Sequence, residues 1–264
     1  MKRRDWPIIV GGCHRSGTSV VRRVLDGHSR IHCGPEIKFF RDFYGDYPDD
    51  SLRDFRFVQT ARAVLPDDEL LEVVGTAFVK VHERAARHVG KPRWADKAPE
   101  NVLHTREWGR LLGDRWFLVH VVRNPLDTLA SITEAGFPRT FPSALGDRIA
   151  FFRRYTEAGL EFASREPGRY CRVVYEELVG SPQAVVADLM DRLGEAFEPR
   201  QLTWKEVVYQ RGLEDHKIEN ASGIHGASVG RWPTLLSPEE AEVVRTQTAD
   251  LWAEIDPSGR LAAM

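Results

Sequence analysis

The chain has 264 residues, of which 42% are hydrophobic and 29% charged, as in a folded globular protein of one large or two small domains. Its formal net charge of -2 argues against general nucleic-acid binding, so local arginines would have to bind any anion. Three cysteines (Cys13, Cys33 and Cys171) have no metal-type spacing and suggest no disulfide framework, which favours a reducing compartment.

The N-terminus has no apolar run of the signal-peptide kind, and no stretch approaches the ~18 apolar residues of a membrane span. We therefore expect a cytoplasmic protein with no membrane partner.

The first informative segment combines a buried strand at 7–12, a loop of Gly, Ser and Thr, and a helix at 20–27. Such a segment directs several backbone N–H groups and the positive end of a helix dipole at one point. It therefore predicts an anion site, with phosphate as the ligand.

The loop differs from the common phosphate loop G-x-x-x-x-G-K-[ST] in one respect. Gly12 and Gly17 keep the glycine spacing and Ser19 keeps the hydroxyl, but Thr18 replaces the lysine and the cation lies upstream at Arg15. A nucleoside-triphosphate enzyme needs that lysine on the β- and γ-phosphates. The loop therefore predicts a site for a phosphate group but not for a nucleoside triphosphate with its metal ion.

Glu36 follows Cys33-Gly-Pro and has two interpretations. Local sequence favours a solvated glutamate that starts a helix at 36–43, near the positive helix end. The alternative is a general base that takes a proton from an acceptor hydroxyl. Aromatic residues in this part and further along the chain predict either a pocket for a phenol or part of the core: Phe39, Phe40, Phe43, Tyr44, Trp94 and Trp108.

Lys97 stands at the end of a weak strand, directly after residues 93–96. This strand lies between predicted helices at 67–88 and 100–112. A lone lysine is usually a solvated surface group. At a strand end, however, it would stabilise negative charge that develops in a transition state.

A second buried strand, at 116–122, leads into Arg123 and a helix that begins near a proline. Arg123 thus lies where open α/β sheets bind ligands, and Ser131, two helical turns later, would face the same crevice. The pair would suit a second phosphate. Alternatively, Arg123 forms an ion pair and Ser131 is a small packing residue. No metal-binding aspartate ends this strand, which disfavours Walker B chemistry.

The remaining pattern continues the alternation of strands and helices. It predicts a helix at 143–163, a strand at 170–175, and two helices that begin after Ser181 and Ser237, with Gly194 ending the first of these. This alternation predicts a parallel α/β sheet. Irregular segments at 44–52 and 212–233 are expected to lie over the ligand crevice.

Residues 15–19 resemble the 5′-phosphosulfate loop of sulfotransferases that use 3′-phosphoadenosine 5′-phosphosulfate (PAPS), and residues 123–131 resemble their 3′-phosphate motif. Leu-Asp-Gly-His and Cys-Gly-x-Glu, which follow the loop, are most similar to the tyrosylprotein-type branch and its bacterial relatives. The resemblance implies a P-loop-like parallel sheet flanked by helices. The implied single domain spans 1–264, with a phosphosulfate loop at 12–19, a 3′-phosphate motif at 123–131 and a lid loop at 212–233.

The resemblance also implies roles for individual residues. Glu36 would be the general base and Lys97 would contact the bridging oxygen of the leaving phosphate. Arg15 would be an electrostatic clamp or acid, and Ser222 would assist the leaving group. Residues expected to bind the donor are Arg15, Ser16, Gly17, Thr18, Ser19, Arg123, Ser131, Tyr175, Ser228, Arg231 and Trp232.

Several alternatives stay open at this point. Tyr175 has a second interpretation as an ordinary aromatic at a strand end, and His14 and His225 are second-choice bases. Lys38 stands where the tyrosylprotein-type branch often has an arginine. The acceptor is expected to carry a hydroxyl, on a phenol, a sugar or a peptide tyrosine. No metal is expected, and the oligomeric state is open, with a homodimer as one alternative.

Two other functions compete with sulfuryl transfer. A divergent phosphate-loop kinase would depend on ATP and magnesium. A nucleotide-binding module without catalysis would bind 3′,5′-adenosine bisphosphate (PAP) and show no turnover.

Overall fold

Five parallel strands form the centre of the fold. The computed structural model describes residues 3–45, 56–136, 140–204 and 222–259. The strands are β1 (Ile8–Gly12), β2 (Ile31–Cys33), β3 (Arg93–Lys97), β4 (Phe117–Val122) and β5 (Tyr170–Val174). Their order across the sheet is β2-β3-β1-β4-β5, and each neighbouring pair is parallel.

Helices flank this sheet in the described part of the chain. They are α1 (Thr18–Asp26), α2 (Phe39–Tyr44), α3 (Arg56–Arg62), α4 (Asp67–His88), α5 (Thr105–Leu112), α6 (Pro125–Ala135), α7 (Leu145–Arg165), α8 (Tyr175–Gly180), α9 (Pro182–Leu193) and α10 (Pro238–Ile255). Short 3₁₀ helices include Pro99–His104 and Trp232–Thr234.

Each face of the sheet packs into its own apolar core. Ile8 and Val10 belong to a core with α1, α8 and α9, whereas Ile9 and Leu118 belong to a core with α4, α5, α6, α7 and α10. Successive strand residues point to opposite faces, and helices cover both faces. The strands β1, β4 and β5 therefore read as largely apolar runs, and this pattern made them recognisable in the sequence.

The predicted parallel α/β sheet is confirmed, and most element boundaries agree within two residues. The capping box predicted at Ser237 is present, with the Ser237 hydroxyl accepting from the Glu240 N–H at 3.2 Å. Gly194 ends α9 in the left-handed conformation with φ 77°. The predicted helix at 100–112 is divided into a 3₁₀ helix and α5, and the three-residue strand β2 had no sequence signal.

The predicted helix at 36–43 begins three residues later, at Phe39. Lys38 has φ 23°, outside the helical region, so Glu36 lies in a segment with no regular structure between β2 and α2. The prediction that Glu36 starts a helix is therefore wrong. This segment carries the Glu36 side chain from the end of β2 towards the end of β3.

The aromatic residues form part of the core, which answers the question that the sequence left open. Phe40, Phe43, Trp94 and Trp108 are buried in the same apolar cluster, against which Phe39 and Tyr44 pack. Of the two irregular segments, residues 46–52 and 212–221 lie outside the described residues.

Candidate active site

The predicted site residues meet at one edge of the sheet. Because all five strands are parallel, their carboxyl ends lie at the same edge. Glu36 follows β2 by three residues, Lys97 is the last residue of β3, Arg123 follows β4, and Tyr175 follows β5. The phosphate-type loop follows β1 at the centre of the sheet, so every strand end contributes to one site.

The loop after β1 has the conformation of an anion site. Arg15 and Gly17 have positive φ angles of 67° and 98°, which turn the chain sharply before α1. The buried Ser16 hydroxyl donates to the carbonyl of Val121 in β4 at 3.1 Å and fixes the loop on the sheet. No side chain caps the start of α1, so the first N–H groups of the helix, from Thr18 and Ser19, suit a phosphate.

The Tyr175 ring lies directly against Gly17. A Cβ atom at position 17 would overlap this ring, so both the backbone angle and the contact require glycine. The Arg123 guanidinium carbon lies 4.8 Å from the centre of the same ring. Burial raises the pKa of Tyr175, while the charge of Arg123 opposes this. Tyr175 therefore connects the loop to the arginine after β4.

Arg123 is 5% exposed and holds two parts of the site together. It donates to the backbone carbonyl of Arg15 at 2.9 Å and to that of Ser228, while its Nε is buried without a hydrogen-bond partner. Burial lowers the pKa of Arg123, and the carboxylate of Asp127 at 3.8 Å opposes this. A buried guanidinium with an unused N–H group fits a phosphate ligand.

Ser131 lies beside Arg15 rather than apart from it. The Arg15 Nε donates to the Ser131 hydroxyl at 3.2 Å, so the two predicted motifs are in direct contact. Residues from both motifs line one cleft together with Gly223, His225 and Ser228. The cleft is open to solvent, and its empty space, including the part open to solvent, is about 620 Å³.

Lys97 connects Glu36 to the loop. Its ammonium group forms an ion pair with Glu36 and donates to the Ser19 hydroxyl at 3.2 Å. The Lys97 side chain is 4% exposed and that of Glu36 is 20% exposed, so the carboxylate reaches solvent while the cation lies beneath it. The second Glu36 oxygen lies 3.7 Å from the Lys38 ammonium group. A proton acceptor thus lies one side chain away from the phosphate-type loop.

Residues 222–232, here called the C-terminal segment, contact the site only in part. Ser228 lines the cleft, whereas the exposed Ser222 accepts from the Trp204 N–H at 3.0 Å through its backbone carbonyl and does not line it. Arg231 forms an ion pair with Glu134 at 2.7 Å and lines a smaller cavity that Arg123 and Ser131 share. The Trp232 ring lies beneath a guanidinium of α10, with its centre 4.9 Å from the Arg245 Cζ.

Asp127 is a site residue that the sequence reasoning missed. This buried carboxylate accepts from the backbone N–H of Gly230 at 2.7 Å and from that of Trp232 at 3.0 Å. It therefore ties the C-terminal segment to α6, one turn beyond Arg123. Its position inside the 123–131 motif, at the start of a helix, was the available signal.

The two second-choice bases have different surroundings. His14 lies 3.2 Å from the buried Glu100 and packs edge-on against Phe141 and Tyr155. Burial raises the pKa of Glu100, but the charge and hydrogen bond of His14 and the charge of Arg41 bring it down to about 2. His225 lines the cleft and is exposed.

Membrane-spanning helices and metal-binding clusters are both absent from the described residues. No helix among them is long and apolar enough to cross a membrane. In the same ranges, no group of three or more His, Cys, Asp or Glu side chains is placed to hold a metal ion.

The fold and the loop define a P-loop-like α/β protein with an anion site at the carboxyl edge of its sheet. Residues 7–199 match the model of the sulfotransferase family, and the chain belongs to that family.

The chain is also similar to individual proteins in sequence or in fold. The chain is 23% identical over 206 residues to a Caenorhabditis briggsae protein named "Putative protein-tyrosine sulfotransferase", covering 76% of this chain and 70% of that protein. The sulfotransferase domain of the Synechococcus PCC 7002 olefin synthase has a similar fold, with a TM-score of 0.63 at 19% identity, covering 91% and 93% of the two chains. Mouse sulfotransferase SULT7A1, crystallised with PAP, gives a TM-score of 0.51 at 13% identity, covering 97% and 86%.

Proposed function

We propose that this protein transfers the sulfuryl group of PAPS to an acceptor hydroxyl. The observation that carries the proposal is the Glu36–Lys97–Ser19 arrangement. In it, a buried cation contacts the loop that would hold the 5′-phosphosulfate, and a solvent-accessible carboxylate pairs with that cation. Family membership and a structural relative crystallised with PAP support the nucleotide.

The donor would lie along the cleft between the loop and the end of β4. Backbone N–H groups of residues 16–19 and the hydroxyl groups of Thr18 and Ser19 would bind its 5′-phosphate. Arg123 would bind the 3′-phosphate through its buried Nε, with help from Ser131 and Ser228. Tyr175 would place the adenosine part. Arg231 and Trp232 are assigned to the closing edge of the 3′-phosphate site, beside the smaller cavity.

The proposed step is an in-line displacement at sulfur. The acceptor oxygen forms a bond to sulfur, its proton goes to the Glu36 carboxylate, and the bond between sulfur and the bridging oxygen of the 5′-phosphate breaks. The products are a sulfate ester and PAP. Negative charge grows on the bridging oxygen during the step, and Lys97 and Arg15 would stabilise that charge. Ser222 is proposed to assist the leaving group.

The acceptor is proposed as a phenol, a sugar hydroxyl or a peptide tyrosine. Its pocket would lie on the Glu36 side of the loop, because the carboxylate must reach the acceptor proton. A cytoplasmic location is supported by the three cysteines, which are buried free thiols in the described structure.

The proposal is tested by incubating the protein with PAPS and a panel of phenols, sugars and tyrosine peptides in chelator, with PAP release measured. Sulfated product formed without magnesium supports it. ATP- and magnesium-dependent phosphorylation would indicate a kinase. Tight PAP binding with no product from any acceptor would indicate a binding module.

The base is tested by Glu36→Ala. Removing the base should lower kcat by about 10²–10⁴-fold while the PAP dissociation constant measured by calorimetry stays unchanged, because Glu36 has no role in nucleotide binding. Lys38→Ala is the matched control, since it removes the other charged side chain near this carboxylate and should leave proton transfer intact. Wild-type turnover in Glu36→Ala would remove this residue from the mechanism.

A further inference from the structure

Arg22 is a buried arginine of α1 that contacts the segment carrying Glu36. It is 1% exposed, and its NH1 donates to the backbone carbonyl of Cys33 at 3.0 Å and to that of Gly34 at 3.4 Å. Strand β2 ends at Cys33, and residues 34–38 belong to no helix or strand. The conformation of this segment therefore depends on hydrogen bonds from side chains such as Arg22.

Arg22 is one of three polar residues along one side of α1 that face the same region. Ser19, Arg22 and Asp26 are spaced by three and four residues, which places them on one helix face. Ser19 accepts from Lys97 at 3.2 Å, and Asp26 accepts from the Cys33 N–H at 3.0 Å. This face connects the helix that starts at the loop with the ends of β2 and β3.

We propose that Arg22 is a positioning residue for Glu36. By holding two consecutive carbonyls just before Pro35, it fixes the path of the chain that brings the Glu36 carboxylate to Lys97. Because α1 begins at the donor loop, the donor site and the base then move as one unit. This inference rests on the proposed function, in which Glu36 takes the acceptor proton. A displacement of about 1 Å in such a group can cost about 10²-fold in rate.

The test compares Arg22→Met and Arg22→Lys in the full-length protein. Arg22→Met should lower kcat by about 10²-fold and leave the PAP dissociation constant unchanged. Arg22→Lys should recover part of kcat, because lysine keeps a cationic N–H donor near the carbonyls. Equal losses in kcat and in PAP affinity would overturn the proposal, as would wild-type kcat in Arg22→Met.

Arg93→Met is the matched control for burial. Arg93 is also 1% exposed and also donates to backbone carbonyls, those of Trp6 at 2.6 Å and Leu193 at 2.9 Å. It begins β3, at the edge of the sheet opposite the site. Its loss should lower the melting temperature and leave the kcat of the folded protein unchanged.

A double variant separates positioning from general destabilisation. Added to Glu36→Ala, Arg22→Met should cause no further loss of kcat, because the base whose position it sets is already absent. An additive loss would contradict the proposal. If both Arg22 variants failed to fold, Arg22 would be structural and the proposal would be wrong. If Glu36→Ala itself kept wild-type turnover, the proposed function of Glu36 would be the part that fails.

Discussion

At the scale of single residues, the site depends on charged groups that are buried and shared. Arg123 donates hydrogen bonds to the Arg15 carbonyl in the loop and to the Ser228 carbonyl in the C-terminal segment. Lys97 likewise has two partners, because it pairs with Glu36 and donates to Ser19. Each cation therefore organises protein groups before any anion binds, so its N–H groups are already oriented.

Arg123→Ala should chiefly weaken nucleotide binding. It removes a buried charged donor, and hydrogen bonds to charged groups contribute about 1.5–3 kcal/mol, so the PAP dissociation constant should rise by roughly 10–100-fold. Calorimetric titration with PAP measures the change. Arg153→Ala is the control, because this partly exposed arginine of α7 pairs with the exposed Asp250. An unchanged PAP dissociation constant in Arg123→Ala would reject its role in binding.

At the scale of elements, the junction of β1, the loop and α1 places the anion site. Gly17 has φ 98° and lies against the Tyr175 ring, so α1 can start here only with glycine. The loop conformation and the start of α8, which Tyr175 begins, therefore depend on each other. Asp127 makes a similar connection between α6 and residues 230–232.

Gly17→Ala should damage this junction. The left-handed backbone costs a residue with a Cβ atom about 1–2 kcal/mol, and the added methyl group would also displace Tyr175, so PAP affinity should fall by more than about tenfold. Gly109→Ala is the matched control. Gly109 lies inside α5 with open space around it, so its replacement should stabilise the protein by about 0.5–1 kcal/mol. Normal PAP affinity in Gly17→Ala would contradict this account of the loop.

At the scale of the whole molecule, stability depends on a buried histidine between the sheet and α7. His120 of β4 is fully buried, contacts the Tyr170 hydroxyl at 3.0 Å, and fills the space that the absent side chain of Gly159 leaves. Burial lowers the pKa of His120 to about 3, and the charge of Arg172 adds to this. The folded protein therefore holds His120 neutral, whereas the unfolded chain protonates it near its ordinary pKa.

This difference predicts a pH dependence of folding. Because the folded pKa is depressed, the stability is complete above about pH 6.5 and is lost as the pH falls towards 3. Wild type should lose up to about 1.4 kcal/mol of unfolding free energy per pH unit in this range relative to His120→Gln. Urea denaturation of both proteins between pH 7 and 5 measures the two slopes. Parallel slopes would show that His120 does not titrate on unfolding.

The sequence by itself determined most of the sheet and supplied the candidate site residues. Apolar strands such as 116–122 and the glycine spacing of the first loop are local patterns, and local patterns are what a sequence displays directly. Lys97 and Arg123 were candidates because each ends or follows a predicted strand. The roles of Glu36 and Tyr175 were indicated by the resemblance to the sulfotransferase family, and the strand before Glu36 had no sequence signal.

Only the tertiary structure decided which groups touch. Hydrogen bonds join residues from different elements at three places. Arg15 donates to Ser131, Asp127 accepts from Gly230 and Trp232, and Arg22 donates to Cys33 and Gly34. The irregular path of the chain before α2 also depends on such contacts, which is why local helix signals misplaced Glu36. Hydrogen bonds between distant segments depend on how the elements pack in three dimensions. The periodicity of a helix or strand is a local property and therefore does not predict them.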